Sequence, residues 1–535
     1  MTSALTRTRS PWSVLAVLCL TVFTINVDTT IVNVALPALV RQLGASTRQL
    51  QWIVDAYNLA FAALVLPSGT LGDRLGRRGT LLAGLVAFTA ASLAGAAAHS
   101  PAQLIAARVA MGVGAALIFP TTLSILVNVF VERRTRAAEI GIWGGVTGLG
   151  GAIGPIVGGW RLEHFWWGSV FLALAPLGVA AFVLVVILVP TSRDPARGRL
   201  DYGGLALSAP AVGLLVYTII EAPNRGWTSA GTLLGWVGAA VLLAGLVWWE
   251  RRVSQPMLDV QLFANPRFTA ASGAITVSFF TLFGFIFLIT QYFQFLKGYQ
   301  PFETGLRMLP VAVTIAAGSV FGSRLAVRWG NHVVVASGLG LLAAAYGWAA
   351  TVSAATAYPQ IAGQMVLLGG GLGLTSAAAS EAVMGAVRTA RAGIGSAVND
   401  ATRLLGGTLG VAVLGSVCAS LYGRALGADR VPGVPPAAVA AARQSIGAAV
   451  TAAGRLPAGP GRTLTAAATS GFFDGVHAAC LVAAAVAALA AVAALRLIPA
   501  HPAASAGPGV HAKPSAAGRS TQAAPAPGST AAGRV

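Results

Sequence analysis

The chain has 535 residues, of which 56% are hydrophobic and only 10% charged, and it carries a net charge of +19. A soluble domain holds about 25% charged residues, so this deficit, with a mean hydropathy of +0.75, places the chain in a bilayer rather than in solution. The surplus of base, which in a soluble protein would point to nucleic acid, sits in short loops between apolar runs and reads as membrane topology instead.

In chain order, "MTSALTRTRSPW" (1–12) is basic and precedes an apolar run, but no A-x-A cleavage site follows, so the run reads as a retained first span. A span needs about 20 mostly apolar residues. Fourteen are predicted, at 13–36, 49–71, 79–98, 102–128, 138–160, 167–189, 203–220, 231–249, 268–293, 304–323, 332–352, 359–382, 395–421 and 474–497. Pro11, Pro37, Pro101, Pro190 and Pro499 punctuate their ends. An even count puts both termini on one side, and "GDRLGRRG", "VERRTRA", "SRDPARGRLD" and "WERRV" all fall there, which marks that side as cytoplasmic. Residues 424–473 read as an Ala/Pro/Gly-rich external loop, partly helical at "PPAAVAAARQSIGAAVTAAG", and 499–535 as a disordered cytoplasmic tail. The chain thus divides into an N-terminus (1–12), a first bundle (13–189), a linker with two spans (190–267), a second bundle (268–498) and the tail.

Five motifs stand out along this layout. They are "VDTTIVNVALP" in span 1, "GTLGDRLGRRG" (69–79) between spans 2 and 3, "LIAARVAMGVGAA" (104–116) in span 4, "GLGGAIGPIVGG" (148–159) in span 5 and "ATRLLGGTLGVAVLG" (401–415) in span 13. A degenerate repeat also shows: "SRLAVRWG" (323–330) aligns with "GTLGDRLG" (69–76), pairing Leu71 with Leu325, Arg74 with Arg328 and Gly76 with Gly330, while Val327 replaces Asp73. Repeated halves are common in membrane transporters. On these motifs, residues 12–498 resemble the major facilitator superfamily, in its fourteen-helix drug:proton antiporter branch of the actinobacterial antibiotic resistance and export type. The resemblance implies an all-α integral membrane fold of fourteen transmembrane helices. Two pseudo-symmetric six-helix bundles would rock about a central cavity, with spans 7 and 8 (203–249) inserted between them. It implies a monomer in the cytoplasmic membrane that exchanges a small hydrophobic organic substrate for protons, with no ATP and no cofactor. A non-drug metabolite exporter and a non-transporting sensor are the other readings.

The residues have their own physical logic. Asp28 costs roughly 2.5–3.5 kcal/mol near the middle of a lipid-spanning helix. At 100° per residue it shares a face with Thr21 and Thr24, while Asn26, Thr29 and Asn33 form another. Arg108 lies within span 4, and since intramembrane charges face cavities and pair, Asp28 is its natural partner; the alternative is an arginine snorkelling to the interface. The resemblance implies a proton relay for this arginine, although Met111 stands where the family usually has glutamine. Asp28 itself either handles protons and substrate or ties helices together. Asp55 either lines the cavity entrance or sits at the wet interface.

In the loop, Gly69, Gly72 and Gly76 permit a tight turn, and Asp73 can pair with Arg74, Arg77 or Arg78; the resemblance implies a gating latch. Gly150, Gly154 and Gly158 share one helix face that suits close helix contact, with Pro155 to bend the helix and Gly159 beside them. The resemblance makes this the antiporter motif. Arg403, Gly406, Gly407 and Gly410 mark span 13, where Asp400 and Arg403 share a face and are predicted to pair. Glu381 reads as interfacial. Span 10 carries no acid, where some members of the family it resembles have one linked to divalent cationic substrates, so the resemblance argues mildly against such substrates here. Cys19, Cys418 and Cys480 lack metal-ligand spacing, "GRLPAGPGRT" (454–463) lacks the G-K-[ST] ending of a phosphate loop, and His99, His164, His332 and His477 are scattered, so neither catalytic nor metal-ligating residues are predicted.

Overall fold

A computed structural model of the chain describes residues 10–130, 133–192, 201–254, 256, 258, 260–386, 392–427 and 431–498. The predicted tail and most of the N-terminus lie outside the described residues, as does the side chain of Asp73.

The described residues form α1 (Pro11–Leu43), α2 (Thr47–Leu75), α3 (Arg77–Ala96), α4 (Pro101–Val129), α5 (Arg133–His164), α6 (Ser169–Leu172), α7 (Leu174–Leu188), α8 (Tyr202–Arg225), α9 (Ala230–Glu250), α10 (Pro266–Gln291), α11 (Pro301–Arg307), α12 (Leu309–Trp329), α13 (Asn331–Ala349), α14 (Tyr358–Ala386), α15 (Ala392–Ala425), α16 (Pro436–Ala442), α17 (Ile446–Ala453) and α18 (Ala458–Leu497). Local chemistry sets several ends. Pro11, Pro101 and Pro266 open helices at the first position, where the missing N–H costs nothing. Gly44, at φ 64°, turns α1 off in the left-handed region and donates its N–H to the carbonyls of Leu39 and Val40. Ser46 and Gln49 cap α2 reciprocally.

The aligned repeat has a structural counterpart. Gly76 (φ 107°) and Gly330 (φ 84°) hold the same turn, the first between α2 and α3, the second between α12 and α13. Each donates its N–H four residues back, to the carbonyls of Gly72 and Ala326. No residue with a Cβ adopts these angles cheaply, which explains why glycine survives in the degenerate copy. Packing repeats as well. α1 lies on α5 and α7, and α4 on α2 and α3, while α3 meets α7; in the later half α10 lies on α15 and α18, and α14 on α12 and α13, while α13 meets α18.

Twelve segments among the described residues are long and apolar enough to cross a membrane. The two remaining predicted spans correspond to α2 and α5, 29 and 32 residues long, each of which holds side chains outside the described set. α2 carries Arg48, Asp55 and Arg74, and α5 is rich in glycine. At 1.5 Å per residue each would run more than about 40 Å, longer than the ~30 Å hydrocarbon core. The last helix also differs from the prediction. α18 begins at Ala458 and runs for 40 residues, so the stretch from there to 473 is helical rather than loop. Alanine favours helix, and Pro460 falls in the first turn, where it is tolerated.

α8 packs on α9 and also on both α2 and α15. Val216, Ile219 and Ile220 bury against Ala412, flanked by Trp52 and Trp236. Arg48 Nη1 lies 3.0 Å from Glu221 Oε2, and Trp227 Nε1 donates to Ser420 Oγ at 3.0 Å. The Arg48 side chain is 44% exposed, so Glu221→Gln is expected to cost less than about 1 kcal/mol and to lower Tm by no more than about 2 °C in a thermal melt. The apolar contacts, not the ion pair, hold α8 in place.

Candidate functional site

The most deeply buried charges, Asp28, Asp55, Arg108 and Glu139, sit in the first helix set. Arg108 Nη1 on α4 lies 2.6 Å from Asp28 Oδ2 on α1, and neither side chain reaches solvent. Arg108 Nε donates to the Ile53 carbonyl of α2 at 3.0 Å, and its guanidinium lies 4.2 Å from the centre of the Tyr57 ring. One arginine thus joins α1, α2 and α4, and it points inward rather than snorkelling. Met111 Sδ, a weak acceptor, lies 4.0 Å from Nη1. The other polar groups of α1 turn back onto their own helix: Thr21 donates to the Val17 carbonyl, Thr24 to that of Leu20 and Asn26 to that of Val22. Asp28 differs, because it bonds to another helix, and its Oδ1 has no hydrogen-bond partner among the described residues. A proton arriving on that oxygen would neutralise the carboxylate, leave the guanidinium charged and so loosen Arg108 from α1. This is chemistry that a buried carboxylate with one open oxygen can perform.

Asp55 lies neither at a cavity entrance nor at a wet interface. It is fully buried, and among the described residues neither carboxylate oxygen has a hydrogen-bond partner. One turn earlier, Gln51 Nε2 donates to the carbonyls of Val411 (3.2 Å) and Ala412 (3.1 Å) and to Ser416 Oγ (3.3 Å), which brings α15 over this part of α2. Gln51 was not singled out from the sequence, but its spacing from Asp55 and Asn58 places all three on one helix face. The buried Glu139 was also missed; its Oε2 has no partner among the described residues.

The glycines of α5 seat α1. A Cβ at Gly150 would lie 2.9 Å from the Phe23 carbonyl, one at Gly154 would lie 2.8 Å from that of Val27, and one at Gly158 would strike the Ile31 side chain. Gly159 faces outward to α11, against the backbone of Pro301 and Phe302, while the Pro155 carbonyl abuts Gly305 of the same helix. The span-13 glycines do the equivalent work in the later half. Gly406 and Gly410 of α15 rest on the carbonyls of Thr276 and Phe280 of α10, and Gly407 faces the Phe283 ring. Arg403 does not pair with Asp400: no ion pair within 4.0 Å joins them. Its guanidinium turns to α14 instead, donating to Ser380 Oγ at 3.3 Å, and lies 5.4 Å from the Phe279 ring centre.

At the 69–79 turn, the expected pairing of Asp73 lies outside the described side chains. Gly69 and Gly72 let α2 approach Pro120 and Thr121 of α4, and Arg74 is half-buried. The arginines that follow hold main-chain oxygens. Arg78 Nη2 donates to the Val186 carbonyl at 2.6 Å, Arg77 Nη1 to that of Ser124 at 3.5 Å, and the Arg77 N–H to that of Ser192 at 3.0 Å. Among the described residues no cluster of three His, Cys, Asp or Glu side chains gathers as a metal site.

Comparison with known proteins places this geometry. The Major Facilitator Superfamily profile matches residues 18–411. The multidrug efflux pump LfrA of Mycolicibacterium smegmatis is 35% identical over 482 residues, covering 89% of this chain and 95% of that protein. The methyl viologen resistance protein SmvA of Salmonella typhimurium is 34% identical, covering 86% and 93%. The tetracenomycin C resistance and export protein of Streptomyces glaucescens is 33% identical, covering 89% and 90%. Among solved structures, a bacterial homologue of the human lysosomal transporter Spinster superposes with a TM-score of 0.64 at 19% identity, over 91% of this chain and 98% of that one.

Proposed function

The chain belongs to the major facilitator superfamily, a family of transporters and not of enzymes, and on that premise we propose that it exports a hydrophobic drug or antibiotic in exchange for protons and so confers resistance. The observation that carries the coupling is the buried Asp28–Arg108 pair with one carboxylate oxygen left open. The export direction is supported by the efflux relatives and by the α5 glycine face. In this reading α2 and α5 complete fourteen spans, α8 and α9 are the inserted pair, both termini face the cytoplasm, and the protein works as a monomer in the cytoplasmic membrane.

The cycle follows from the residues. Asp28 takes a proton that has entered from outside, and the loss of charge releases Arg108 from α1. Substrate and proton compete for this arrangement, and Asp28 gives up its proton to the cytoplasm. Asp55 is a second buried carboxylate able to share this work. The gradient is the energy source, with no nucleotide and no cofactor.

Expression in a susceptible host with its own pumps deleted tests the reading. Resistance to a panel of hydrophobic antibiotics is expected to rise, and efflux to collapse on adding a protonophore. Efflux that stops on ATP depletion while the gradient persists would overturn the proposal.

A further inference from the structure

The two helix sets meet across a seam at the end where α1 finishes and α2 begins. The buried side-chain hydrogen bonds over that seam, among the described residues, are made by two glutamines. Gln51, 1% exposed, reaches from α2 to two carbonyls and a hydroxyl of α15. Gln294, 7% exposed, reaches back from the later set and donates from Nε2 to the Val34 carbonyl of α1 at 3.0 Å. Each set thus sends one amide into the main chain of the other. Two local devices aim them. Gln294 lies in a π-helical turn, Tyr292–Leu296, that ends α10; such a turn rotates side chains out of α-helical register. Gly415 makes room for Gln51, whose amide would collide with any Cβ there.

Other polar and cation–ring contacts that join the two helix sets are exposed or partly so: the Thr47 N–H and hydroxyl donate to the Gln444 carbonyl, the Phe302 N–H donates to Glu163 Oε1 at 3.0 Å, and Arg41 lies 5.9 Å from the Phe295 ring centre. Among the described residues no ion pair crosses the seam. A gate made of neutral hydrogen bonds to backbone has a functional advantage. Each bond nets only about 0.5–1.5 kcal/mol, because water replaces it on opening, and no charge is stranded. A buried ion pair at the same place would leave uncompensated charges when broken.

We propose that Gln51 and Gln294 are the latch that holds this face shut, and that their release opens the path by which substrate leaves. They are positioning residues, and their role in export rests on the transport reading above; the latch itself does not. The test uses the full chain in nanodiscs, with Cys19, Cys418 and Cys480 replaced by alanine and spin labels at Arg41→Cys and Arg424→Cys, one exposed site on each set. Pulsed dipolar spectroscopy reads the distance between them. Gln51→Met and Gln294→Met, which keep length and remove the amide, are each expected to raise the open-to-closed ratio by about two- to tenfold, and the double variant by about the product. Where the double variant fails to fold, the single ones carry the test. Melting temperatures that fall while the distance distribution stays as in the parent would show a merely structural role and overturn the latch. The distances are read without any transport, so a chain that moves no protons can still pass or fail.

Discussion

Asp28→Asn is expected to abolish proton-driven efflux while the protein still reaches the membrane. Asparagine keeps the shape and one acceptor for Arg108, but it cannot carry a proton or balance the guanidinium. Removing one partner of a buried pair costs about 3–5 kcal/mol, mostly from the charge left behind. A drop in Tm alone would therefore not separate coupling from a structural tie. The double variant Asp28→Asn, Arg108→Gln does so. It removes both charges, and neutralising a whole buried pair is far cheaper than halving it. If the pair is the coupling device, the double variant regains stability and stays inactive. Efflux that returns with stability would assign the pair a structural role, and full efflux from Asp28→Asn alone would remove it from the mechanism.

The second large effect concerns glycine. Gly154→Ala and Gly410→Ala are each expected to eliminate export, because the new methyl group would strike Thr30 Oγ1 and the Val27 carbonyl in one case and the Phe280 backbone in the other. Overpacking costs about 1–3 kcal/mol, occasionally more, and at both positions the atoms struck include backbone, which cannot swing aside. Gly148→Ala and Gly151→Ala are the controls. Nothing lies within 4 Å of a Cβ at Gly148, and only the Thr30 methyl, at 4.0 Å, approaches one at Gly151. These two are expected to export as the parent does. Resistance assays on the four variants, with membrane levels measured by immunoblot, check the contrast; equal effects at all four positions would mean that the α1 seat has been misassigned.

The contrast shows what can be read from sequence. Spacing by four puts Gly150, Gly154 and Gly158 on one face, but it does not say which partner they meet, nor that Gly406 and Gly410 hold α10 in the same way. Lipid makes most spans legible, since a bilayer demands long apolar helices. α2 carries Arg48 and Asp55 and α5 is rich in glycine, yet both are helices long enough to cross. The Asp28–Arg108 pairing was legible because intramembrane charges seek each other. Asp55, Arg403 and the seam were not. Gln51, one turn before Asp55, binds α15, more than 350 residues further on. Arg403 found a hydroxyl and an aromatic ring on other helices in place of its acidic neighbour. A buried glutamine leaves almost no mark on hydropathy, so Gln51 and Gln294 become visible only once both helix sets are in place.

Proton exchange is the central claim, and purified protein in proteoliposomes with a pH-sensitive dye inside tests it most directly. Adding a hydrophobic compound that the protein exports from cells should drive protons across the membrane in the direction opposite to the compound, at a fixed ratio, with no nucleotide present; Asp28→Asn should give no such movement. Transport of the compound with no accompanying proton flux, or at the same rate with the gradient collapsed, would contradict it.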